Sequence, residues 1–142
     1  MIRTLVETGF LMALNPKDRN HSWAMNNFED ARMGKLEVNI SPAAPLELAL
    51  ILKSKGLMED KIARVMEALD LAIRRWTNPR YPPLDLSITL LSSKLRHNHP
   101  QLTFFDSIHA AISLSNDLIY YDLDDEVRDV IRAERDKVGS VL

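Results

Sequence analysis

Apolar and polar positions follow two rhythms along the chain, one of period two and one of helical spacing. Ile2 to Val6 is a short apolar run closed by Glu7-Thr8-Gly9, the pattern of a buried strand. Phe10 to Leu14 reads as a short helix stopped by Asn15-Pro16. Asn20 is placed to cap a helix over His21 to Met33, in which Trp23, Ala24, Phe28 and Ala31 recur at helical spacing and which Gly34 closes. Leu36, Val38 and Ile40 alternate with Glu37 and Asn39, which predicts a second strand with the apolar residues inward and the polar ones outward. Ser41-Pro42 offers an N-cap and a first helical residue for a helix that reaches Lys55 and ends at Gly56. Ile62, Val65, Met66, Leu69, Ala72, Ile73 and Trp76 form one stripe of a helix from about Glu59 to Trp76. The prolines between Asn78 and Pro83 demand a loop, and a helix over about Leu84 to His97 stops at Asn98-His99-Pro100.

The stretch from Thr103 to Asp125, TFFDSIHAAISLSNDLIYYDLDD, carries the densest signals. A helix opens at Thr103, Leu118 to Tyr121 reads as a buried strand, and Asp122 follows that strand at once. Asp124 or Asp125 caps a last helix over Val127 to Lys137, and Gly139 to Leu142 has the length of an edge strand. Strands separated by helices predict a parallel sheet covered on both faces, with right-handed crossovers. In such sheets ligands bind beyond the carboxyl ends of the strands, at a topological switch point. Glu7 and Asp122 each follow a predicted strand, so parallel neighbours would bring both carboxylates to one edge.

Composition narrows the class. A chain of 142 residues, 46% apolar, suits one globular domain with one core. A net charge of −2 gives no global basic field, so nucleic-acid contact would have to use local patches. The absence of cysteine excludes a disulfide framework and a thiolate metal site. No run spans a bilayer and the start lacks signal-peptide character, so a soluble cytoplasmic protein with no membrane partner is expected.

Several side chains stand out against this background. Glu47 lies inside an apolar helix whose neighbours Ala43, Ala44, Leu50 and Ile51 cannot pair with it, so it needs a metal or a partner from another element. Thr103-x-x-Asp106 resembles a capping box, which would account for Asp106 without chemistry; otherwise Asp106 is a ligand at a helix start. His109, one turn on, reads as a satisfied core residue, and His21, His97 and His99 show no ligand spacing. Asp124 and Asp125 suit capping, which leaves Asp122 as the functional candidate of that turn. Arg74-Arg75-Trp76 and Arg80-Tyr81 combine cations with aromatic faces, as single-stranded nucleic-acid binders do, but a solvated basic face over a core tryptophan is the commoner meaning. Lys53, Lys55 and Arg96 add local positive charge.

The order ETGFLMALNPKDRNH, SPAAPLELALIL, DSIHAA and LIYYD resembles a PIN-domain nuclease of the VapC toxin type over nearly the whole chain. The resemblance implies a three-layer α/β/α sandwich around a central, mostly parallel sheet. It implies acids after the first strand, on a mid-chain helix, at the start of the DSIHAA helix and after the next strand, which are Glu7, Glu47, Asp106 and Asp122 here. It further implies Mg²⁺- or Mn²⁺-dependent cleavage of single-stranded RNA, a cognate antitoxin and a homodimer. The family usually has Asp in the first position, so Glu7 is a departure; Thr8 keeps the neighbouring hydroxyl. Mg²⁺ prefers such hard oxygen ligands, and one metal or a pair activates water and stabilises the leaving oxygen of an in-line displacement. A PIN-like module that binds RNA or a protein without cutting, and a plain structural α/β domain, are the alternatives.

Overall fold

β1 (Ile2–Val6) lies at the centre of a three-stranded, all-parallel sheet between β2 (Leu36–Ile40) and β3 (Ile119–Tyr120). The computed structural model describes the backbone of residues 1–141 and the side chains of residues 1–137. Among the described residues the helices are α1 (Thr8–Ala13), α2 (His21–Arg32), α3 (Ala43–Ser54), α4 (Glu59–Arg74), α5 (Leu86–Asn98), α6 (Phe104–Ser115) and α7 (Asp125–Val141). The fold is therefore α/β. No described helix is long and apolar enough to cross a membrane.

Strand period two sets the layers. Val6 packs with Leu36, Val38 and Ile40 against Phe10, Phe28 and Leu48, while Leu5 joins Leu118 and Tyr120 under Ile112, Val127 and Ile131. Adjacent residues of β1 thus feed separate cores on its two faces, an arrangement compatible with three layers. The register pairs Val6 with Ile40 and Leu5 with Tyr120, so the carboxyl ends of the strands lie together.

Where the structure departs from the sequence expectation, a competing partner explains it. Asn39 is buried rather than outward: its Nδ2 donates to Glu37 Oε2 at 3.0 Å, and Arg80 from the proline-rich loop bridges the free edge of β2. Ser41 does not cap α3, because its hydroxyl is 2.6 Å from His109 Nδ1. α1 begins at Thr8 rather than Phe10, with Glu7 as its N-cap. The last strand is shorter than Leu118 to Tyr121, although Tyr121 N–H still donates to Leu5 O at 2.9 Å. α4 and α5 end and begin two residues inside the expected bounds, the latter because Asp85 accepts from Ile88 N–H at 3.2 Å. α7 continues past Lys137 through Gly139 to Val141, so that segment is not an edge strand, and Leu142 lies outside the described residues. Gly34 and Gly56 close α2 and α3 as expected, at φ of 74° and 89°, where a side chain would strain the backbone.

Candidate metal centre

Each of the four acids owes its place to a different element. Glu7 ends β1 and turns directly into α1, and its Oε1 accepts from Gly9 N–H at 2.6 Å. Asp122 follows β3 on the neighbouring strand. Asp106 sits in the first turn of α6, where Thr103 Oγ1 accepts its N–H at 3.2 Å. The capping expectation for Thr103 therefore holds, yet among the described residues no donor meets the Asp106 carboxylate. Glu47 projects from the second turn of α3 and is met by the Thr8 hydroxyl and by His109 Nε2, the latter at 3.0 Å. Its partners come from other elements, as the apolar setting of α3 requires.

The electrostatics tie the four together. Glu7 is only 8% exposed, and burial, followed by the charges of Asp122, Glu47 and Asp106, pushes its pKa up to about 8 against the backbone hydrogen bond from Gly9. Asp122 is also raised, by burial first and by Asp124 and Asp106, while the N–H groups of Leu123 and Asp124 work the other way. Burial pushes Glu47 up, but the hydrogen bonds from His109 and Thr8 outweigh it and hold the carboxyl below its usual range. Tyr120, buried beneath them, has its phenol raised by burial and by Glu7, Asp122, Asp106 and Asp124. Among the described residues no lysine or arginine pairs with Glu7, Glu47, Asp106 or Asp122; the only ion-pairing group on any of them is His109. Like charges gathered without a lysine or arginine repel one another and favour the protonated form of the most buried acid, Glu7.

His109 is both the satisfied core residue expected and a member of the site. It is fully buried, with Ser41 on Nδ1 and Glu47 on Nε2. Both ring nitrogens are therefore engaged within the protein, Nδ1 with the Ser41 hydroxyl and Nε2 with the Glu47 carboxylate. It orients Glu47. The sequence signal for this was its placement one turn after Asp106; Ser41 was hidden because Ser-Pro before a helix reads as a cap. Gly9 was also passed over. A Cβ there would lie 2.7 Å from Glu7 Oε1, so glycine lets the Glu7 carboxylate keep its place, while Asp122 Oδ1, at 3.7 Å, would be in ordinary contact.

Donor atoms of Glu7, Glu47 and His109 lie within 4.8 Å of one another. The carboxylate oxygens suit Mg²⁺ or Mn²⁺, and the histidine nitrogen, already on Glu47, is the donor a hard cation needs least. Part of the basic-aromatic cluster is engaged within the fold: Trp76 stacks on Phe28 at 6.0 Å, Arg32 lies 5.0 Å over Trp76, Arg74 pairs with Asp70 and Arg80 with Glu37, while Tyr81 is half exposed. Neither the family models nor the curated proteins include a match to the chain.

Proposed function

We propose that the chain is a divalent-metal-dependent ribonuclease of the PIN type, cutting single-stranded RNA as the toxin of a toxin–antitoxin pair. The observation that carries this reading is the approach of Glu7 and Glu47 within 4.8 Å beside the carboxyl end of β1, with the charges of Asp122 and Asp106 adding to the burial that raises Glu7 to about 8. On this reading Glu7, Glu47, Asp106 and Asp122 hold Mg²⁺ or Mn²⁺, directly or through water. The cation supplies an activated water and neutralises charge on the cleaved phosphate. Glu47, held below its usual range by His109 and Thr8, would be the first oxygen donor; Glu7 would have to lose its proton to serve as the second; Asp106 and Asp122 would offer further oxygens. The partners are RNA, a second copy of the chain and an antitoxin.

A second reading, a PIN-like module that binds RNA or protein without cutting, is favoured by Glu7 itself, whose Oε1 is committed to Gly9 N–H and whose proton is held at neutral pH. Incubation of unstructured RNA with the protein and Mn²⁺ separates the two. Cleavage abolished both by chelator and by Glu47→Gln is expected. Cleavage that persists in EDTA would overturn the metal mechanism, and binding without cleavage would establish the second reading.

A further inference from the structure

Phe104, at the first position of α6, leaves 59% of its surface in solvent. It stands at the same helix end as Asp106, two residues away. Arg96, half-buried on α5, crosses to it, with Cζ 4.8 Å from the ring centroid. The guanidinium is fixed from behind: Nη1 donates to Ser107 Oγ at 2.6 Å and Nη2 to Ser93 Oγ at 3.1 Å. Ser107 is fully buried, so this anchor cannot swing. Among the described residues no carboxylate pairs with Arg96, a state it shares with Arg19, Arg64 and Arg75; of these it is the one whose guanidinium lies over an aromatic ring. Phe105 stands edge-on to Phe104 at 5.6 Å and stiffens the ring from the protein side.

An exposed ring backed by an oriented arginine is poorly explained by stability. Burial of Phe104 is slight, and a cation–π pair at an exposed site contributes little. It has the parts of a nucleotide platform. The ring offers a π-face to a base of any identity, and the spare N–H donors of Arg96 match a phosphate oxygen. We infer that Phe104 and Arg96 form a nucleotide subsite on the α5 side of the helix end that carries Asp106, in which Phe104 stacks an unpaired base of single-stranded RNA and Arg96 takes an adjacent phosphate. The inference rests on the ribonuclease reading for its substrate class, and on the geometry of α5 and α6 for its place.

The test measures fluorescence anisotropy of a short, unstructured RNA in Ca²⁺, alongside cleavage of the same RNA in Mn²⁺. Phe104→Ala should weaken binding about tenfold, and Phe104→Trp should restore it. A set of RNAs carrying one abasic residue at successive positions should reveal a single position whose loss costs wild type the same factor. Phe104→Ala should be indifferent to that position, a coupling that a general loss of stability would not produce. Arg96→Gln should reduce the slope of log affinity against log salt by about 0.7. Because Phe104 is exposed, its truncation leaves the core intact, which a melting curve checks. Wild-type affinity in Phe104→Ala, or undiminished sensitivity to the abasic position, would overturn the subsite while leaving cleavage, and so the ribonuclease reading, untouched. Binding without cleavage would remove the ribonuclease and keep the subsite; no binding at all would remove both.

Discussion

At the scale of single residues, the site works by giving similar side chains different surroundings. Glu7 and Glu47 are both glutamates in one cluster, yet burial and like charges raise the first while a histidine and a hydroxyl lower the second. Sequence could single out Glu47, because a carboxylate with only apolar helical neighbours must find a partner elsewhere. It could not say that the partners would be Thr8 and His109, since both lie far along the chain and meet Glu47 only through the packing of α1, α3 and α6. Replacing His109 by Asn removes the contact to Glu47 and leaves Ser41 short of its partner. We expect about 2 kcal/mol of lost stability by urea denaturation and a 10- to 100-fold loss of Mn²⁺ affinity by calorimetry. Unchanged Mn²⁺ affinity in a folded His109→Asn protein would show that Glu47 needs no orientation. Gly9→Ala forces the opposite kind of change. Its Cβ displaces the Glu7 carboxylate, so the rise in melting temperature given by Mn²⁺ should shrink markedly while the metal-free protein stays folded.

At the scale of elements, helix ends were legible where one residue decides them and obscure where two partners compete. Gly34 and Gly56 stop their helices because the left-handed turn suits glycine, and Thr103 starts α6 with its hydroxyl on Asp106 N–H. Ser41 failed as a cap because a buried imidazole took its hydroxyl, and β3 shrank to Ile119–Tyr120 although its sequence is apolar for longer. Asn39 kept strand alternation, on the Glu37 side of β2, but is buried there with its amide on the Glu37 carboxylate. The cap on α6 also fixes the turn that carries Asp106. Thr103→Ala should cost about 1 kcal/mol of stability and should loosen Asp106 enough to weaken metal binding as well. Denaturant titration with and without Mn²⁺ separates the effects: an equal loss in both conditions would confine Thr103 to capping.

At the scale of the whole molecule, the parallel order β2-β1-β3 brings Glu7 and Asp122, beyond neighbouring strands, to the same edge of the sheet, and the protein's pH response follows from that topology and from burial. Glu7 has its pKa raised from 4.5 to about 8 in the folded state, and Asp122 is shifted in the same direction. A group whose folded pKa exceeds its unfolded value binds its proton more tightly when folded, so its contribution is fully present below the unfolded pKa and is lost as pH rises through the folded one. Glu37, Glu47, Asp85 and Glu134 are shifted downward, so their contributions decline only as pH falls below the ordinary carboxylate range. The window between 4.5 and about 8 therefore belongs to Glu7, and Asp122 adds a change of the same sign from its own ordinary value upward. In EDTA, stability should fall across that window by up to about 1.4 kcal/mol per pH unit. Mn²⁺ should reverse the trend, because cation and proton compete for the same oxygens and the cation gains as the proton leaves. Urea unfolding across this pH range, in chelator and in Mn²⁺, reads both slopes. A flat profile in chelator would mean that Glu7 is ionised without a metal and that the four acids do not press on one another as the folded geometry requires. Parallel falling slopes with and without Mn²⁺ would place any bound cation away from Glu7 and Asp122.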